Sequence, residues 1–143
     1  HIALVSAGLG NVQAAKLLTD IEQSLTAEFI SSAQDNALGT WQRSTHGVDL
    51  KKHRSLAFKG DIEAMRTLAR NYFNGIKLPR HYIRAYAWAS VGAAAGDRLS
   101  RSLRDSLLNA RAKVALEPAQ LDEAQSLAAN LWLSVSGVLI NGK

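Results

Sequence analysis

His46, Asp49 and His53 stand three and four residues apart, a spacing that can bring two imidazoles and a carboxylate to one side of a helix and offer a metal three ligands. No fourth ligand suggests itself, and Gly47 and Val48 blur the start of the helix. Exposed polar residues at a helix entrance are therefore the preferred reading, because a site needs a convergent set. Asp122 and Glu123 are the other close acids. Adjacent residues on a helix point about 100° apart, so these two cannot face one another as an acid and base pair. They read instead as first-turn acids favoured by the helix dipole. The chain has no cysteine, which excludes a disulfide framework, thiolate catalysis and cysteine-ligated zinc. Neither a nucleophile elbow nor a phosphate-cradling glycine loop occurs. The residues thus point to no enzyme, no metal and no cofactor. Trp41, Trp88 and Trp132 lie on stripes facing small residues, where core packing is preferred to ligand stacking.

The elements that carry these residues follow from composition. With 143 residues, 47% hydrophobic and 20% charged, the chain has the balance of one globular domain spanning 1–143. Two prolines and many alanines and leucines favour helix over strand. The longest uncharged apolar stretch, Ala85 to Gly96, falls short of the roughly 20 residues of a membrane helix, so no membrane insertion is expected. No signal peptide is visible and the chain begins with His1, which reads as a mature form or an excised fragment. Residues 43–113 hold 15 of the 17 basic residues but 5 of the 12 acidic ones. Such a basic middle suits nucleic acid or another polyanion as an alternative partner. Without aromatic interleaving, a solvated helix face is preferred, with Asp97, Arg101 and Asp105 spaced four apart to pair on one side.

Repeats organise the chain. Ala7 with Gly10 and Asn11, Ala57 with Gly60 and Asp61, and Ala93 with Gly96 and Asp97 share one pattern. Each reads as a helix stopped by a left-handed glycine and a new helix capped by Asn or Asp. A longer echo relates Leu25, Ile30, Ala33, Gln34, Ala37 and Trp41 to Leu116, Leu121, Ala124, Gln125, Ala128 and Trp132, at a constant offset of 91. Apolar residues at helical spacing predict eight helices, at about 1–9, 11–23, 27–42, 50–59, 61–74, 79–95, 97–115 and 118–133. Ala64, Leu68 and Tyr72 line the fifth. Ala85, Ala89, Gly92, Ala93 and Gly96 give the sixth a small-residue stripe that admits a neighbouring backbone. Leu99, Leu103, Leu107, Ala110 and Val114 form the core edge of the seventh. Short connections imply antiparallel neighbours, so the expected fold is an all-α superhelix of helix pairs. The tail from Val135 to Ile140 is apolar and partly β-like, and its packing is left open.

The segment Ala57 to Gly96 resembles the Sel-one-like repeat family, relatives of the tetratricopeptide repeats. Gly60, Asp61, Ala64, Leu68, Tyr72 and Gly75 carry the likeness in the first helix and turn, and Ala85, Trp88, Ala93, Ala94 and Gly96 in the second. Leu116 to Trp132 is similar to the helix that follows the last repeat in many bacterial members. On this likeness 1–42 is a partial repeat with its following helix pair, 43–96 a complete repeat region and 97–143 a closing helix pair and tail. The chain opens inside a repeat, so further repeats are expected before His1. Two departures stand out: Ala69 replaces a usual glycine, and the loop Ile76 to Arg80 lacks its usual Gly and Asp. The resemblance implies a right-handed superhelix that scaffolds or regulates another protein, often at the bacterial cell envelope, and implies no chemistry. It also implies that the first helix of each pair lines the concave side. Arg66, Arg70, Asn71 and Phe73 are then the candidate partner-binding residues, an aromatic beside two arginines being typical of interface hot spots. The bland alternative buries Phe73 under the next turn, and the other basic face is the helix carrying Arg98, Arg101, Arg104 and Arg111.

Overall fold

The computed structural model describes residues 13–14, 16–17, 26–43, 47–109 and 116–140. Among them the chain is all-helical, with six helices and no strand: α1 Ala27–Gln42, α2 Gly47–Phe58, α3 Ile62–Asn74, α4 Tyr82–Ala94, α5 Arg98–Leu108 and α6 Pro118–Ile140. The helices expected at 1–9 and 11–23 lie outside the described residues, apart from helical backbone at 13–14 and 16–17. The Ala7, Gly10 and Asn11 corner lies outside them too.

Local chemistry sets the ends. Thr26 accepts from the Phe29 N–H at 3.2 Å, Asp61 from Ala64 at 3.1 Å and Asp97 from Ser100 at 3.0 Å, each satisfying an amide that the first turn leaves free. The Gly60 and Gly96 corners are built alike. Their φ angles are +94° and +102°, each glycine N–H donates to an alanine carbonyl three residues back at 3.0 Å, and the following Asp N–H donates five residues back, at 3.2 and 2.9 Å. A side chain with a Cβ seldom adopts that φ, so the Ala-x-x-Gly-Asp pattern fixes the corner. At the third turn Gly75 takes φ +70° and Lys77 takes +64°, the loop without its expected glycine forcing a lysine into the left-handed region.

The centre of the molecule is α4. Ten of its thirteen residues are buried, as suits a helix apolar on every side, and it packs against α1, α3, α5 and α6. On one side Phe58 meets Trp88 edge-on, ring centroids 5.3 Å apart. On another, Gly92 lets α5 close in, with Ser100 lying where a β-carbon would stand. Ala64, Leu68, Tyr72, Ala85, Ala89 and Ala93 are buried as their spacing predicts.

Several expectations change. α5 stops at Leu108 with Asn109 as its cap, well before 115; Ala110, Arg111 and Val114 lie outside the described residues. Leu99 is not a core edge but 60% exposed, because the Asp97 cap and the Gly92 contact turn Ser100 and Leu107 inward. α4 begins at Tyr82, since His81 rather than Pro79 starts it. α6 continues to Ile140, so the β-like tail is helical, and Val135 is buried in the core. Trp41 and Trp88 are core, whereas Trp132 is only partly buried against it.

Candidate functional site

α3 carries the candidate residues. Its buried side, Ala64, Met65, Leu68, Ala69 and Tyr72, faces the core, and the remaining arc turns outward. Arg70 is exposed there, and its guanidinium has no ion-pair or hydrogen-bond partner among the described residues. Asn71 is half-buried, and its carbonyl accepts from the Gly75 and Ile76 N–H groups that end the helix. Phe73 is half-buried and packs against the core beside the Tyr82 ring, centroids 6.0 Å apart.

Arg66 is differently employed. Its Nε donates to Asp97 Oδ2 at 3.1 Å, joining α3 to the head of α5. The same oxygen accepts from the Ser100 N–H at 3.0 Å and the Ser100 hydroxyl at 2.6 Å. Burial works to raise the Asp97 carboxyl, but the Ser100 and Arg66 hydrogen bonds outweigh it and hold the group below its ordinary value. The expected pairing along α5 is therefore corrected: Asp97 reaches across to α3, while Asp105 takes its own neighbour, Arg104, at 3.2 Å.

A second polar cluster, centred on His81, joins α1 to α3 and α4. His81 is 3% exposed. Its Nδ1 accepts from the Arg84 N–H at 3.2 Å, capping α4, and its Nε2 lies 2.5 Å from Asp35 Oδ1. An acceptor role for Nδ1 places the ring proton on Nε2, which donates to the carboxylate. That hydrogen bond holds the Asp35 carboxyl below its ordinary value, against partial burial. Gln34 Oε1 accepts from the Tyr82 N–H at 2.9 Å, satisfying a further amide of the α4 start. Burial pushes the nearby Tyr72 phenol up, with the Arg84 and Arg54 charges offsetting part of the effect. An imidazole held by a carboxylate is half of a hydrolytic triad, but here the other nitrogen is engaged by backbone, leaving no lone pair for a nucleophile's proton. The cluster is arranged to dock α1. Sequence reasoning missed it because His81 does not resemble the usual Ser, Thr, Asp or Asn cap, and its partner lies 46 residues away.

Of the possible metal ligands, His46 and the Asp49 side chain lie outside the described residues, while His53 is half-buried on α2. Among the described residues no group of three or more His, Cys, Asp or Glu side chains is placed to hold a metal, and no helix is long and apolar enough to cross a membrane. The internal echo is unequal in space: Gln34 is buried at the α4 start, whereas Gln125, its counterpart, is exposed on α6. No family model, no curated protein and no solved structure matches the chain.

Proposed function

We propose that this chain is a non-catalytic protein-interaction scaffold or regulator built of Sel-one-like helical repeats arranged as a superhelix, acting in a bacterial envelope setting. The observation that supports it most is the pair of matching corners at Gly60 and Gly96, 36 residues apart, which reproduce the same φ, the same backbone bonds and the same aspartate cap. Matching corners at a repeat-length interval are how stacked helix hairpins are generated. On this reading the outward arc of α3, with Arg66, Arg70, Asn71 and Phe73, contributes to the partner-binding face. Function is carried by surface shape and charge, in keeping with the closed His81 cluster.

The test is affinity capture from a bacterial lysate on the immobilised protein, with and without nuclease, at physiological salt. Stoichiometric recovery of a discrete protein that survives nuclease treatment is the expected result. Recovery of nucleic acid alone, with proteins released by nuclease, would replace the scaffold with the polyanion-binding alternative.

A further inference from the structure

We infer that Arg54 on α2, Tyr72 on α3 and Arg84 on α4 form a binding site for a small tetrahedral oxyanion, either free phosphate or the phosphate group of a monoester. Such a site goes beyond the scaffold reading and is independent of it, since it needs no protein partner. Packing brings the three residues to one place. α2 and α4 each fold back on α3 through a tight turn, at Gly60 and at 75–81, so the two run in the same direction. Phe58 on α2 meets Trp88 on α4 edge-on, ring centroids 5.3 Å apart. Arg54 and Arg84 each stand four residues before these rings, which sets them level one turn back from the contact. The Arg54 guanidinium lies over the Phe58 ring, 5.9 Å from its centroid. Tyr72 enters from α3: its carbonyl accepts from the His81 N–H at 2.9 Å, and His81 Nδ1 in turn accepts from the Arg84 N–H at 3.2 Å. The charges of both arginines act on its hydroxyl.

Enclosed donors without acceptors mark the place as a site. Tyr72 is fully buried, and its hydroxyl proton has no acceptor among the described residues. Arg84 presents only donors to it and cannot take that proton. Burial is the largest influence on the phenol and pushes it up, so it stays protonated and able to donate to an anion at neutral pH. Arg54 Nε is likewise buried with no partner among the described residues. Arg84 has no ion pair among them; Asp35 feels its charge, but that carboxylate is taken by His81. Two guanidinium charges are therefore drawn partly out of water with no anion committed to them, a costly arrangement that a bound anion offsets. Both arginines are half-buried, so they connect the enclosed hydroxyl with solvent. A further donor, Gln34 Nε2, is buried and unpaired where α1 meets the start of α4. Donors that arrive from separate helices suit a tetrahedral ion, whose oxygens point in several directions, better than a planar carboxylate.

The probes are inorganic phosphate, glycerol phosphate and acetate, titrated calorimetrically into the full chain in a zwitterionic buffer, with sodium chloride holding the ionic strength constant. The parent should take up phosphate saturably, bind acetate at least about tenfold more weakly, and melt at a rising temperature as phosphate is added. Of the two phosphates, the tighter ligand identifies the source as free ion or monoester. Tyr72→Phe keeps the packed ring and removes the donor alone, so it should weaken phosphate about fivefold or more without lowering the melting temperature in chloride. Arg54→Gln and Arg84→Gln should each weaken it at least about tenfold. Arg101→Gln, the same charge change at an exposed α5 position, should leave it within about twofold. Circular dichroism checks the fold of each variant. Absence of saturable uptake by the parent, acetate bound as tightly as phosphate, or a loss in Arg101→Gln equal to that in Arg84→Gln would overturn the site. Should the Arg54 and Arg84 variants unfold, Tyr72→Phe decides alone, and phosphate binding equal to the parent's would overturn the site.

Discussion

A methyl group added at Gly92 would lie 2.4 Å from the Ser100 hydroxyl and 2.8 Å from its β-carbon. Ser100 cannot simply swing away, because its hydroxyl and its N–H are both held by Asp97. Gly92→Ala should therefore destabilise the fold by about 1 to 3 kcal/mol, the usual cost of forcing an extra carbon into a packed contact. Urea denaturation measures it, and an unchanged midpoint would show that α4 and α5 are not held at this distance. Gly96 differs: nothing lies within 4 Å of its hypothetical β-carbon, so what it supplies is the +102° φ alone. The sequence distinguishes these roles poorly. Both glycines belong to the small-residue stripe, and only Gly96, through the Asp that follows it, carries a positional signature.

Among the elements, α5 shows how a cap and a cross-helix bond combine. Asp97 is held below its ordinary value in the folded state, so its stabilisation is fully present above the unfolded carboxyl value, about 3.9, and is lost as the pH falls through the lower folded value. Asp35 acts with the same sign through His81. Thermal melting of the parent against Asp97→Asn should show a gap that is largest near neutral pH and closes as Asp97 protonates in acid, below the ordinary carboxyl value of about 3.9. A gap that persists undiminished at that acidity would mean the charge contributes nothing. Element positions were legible where a cap and an apolar stripe agree, as in α3, with Asp61 before Ala64, Leu68 and Tyr72. They failed where they rested on a stripe alone, as at the ends of α5 and α6. The α4 start was missed because its cap is a histidine whose orientation depends on Asp35, a residue on another helix.

At the scale of the molecule, the arrangement around α4 predicts how it unfolds. Here α4 touches α1, α3, α5 and α6, and α6 also reaches α1 and α2. Trp88, 1% exposed at this junction, should cost about 3 to 5 kcal/mol when changed to alanine. The loss should appear together in helical circular dichroism and in the fluorescence of Trp41 on α1 and Trp132 on α6. A variant in which one signal moves without the other would show that the two ends melt separately. By itself the sequence determined that the chain is helical, where Asp61 and Asp97 start helices and Gly60, Gly75 and Gly96 end them, and that Ala64, Leu68, Tyr72 and Trp88 are core. Those features depend on backbone preferences and on periodicity within one segment, which neighbouring residues are enough to specify. Only the tertiary structure decided that Leu99 faces solvent, that Gln34 is buried while Gln125 is not, and that Asp97 pairs with Arg66. Each of these depends on which helix lies alongside, a choice made by packing between residues distant in the chain.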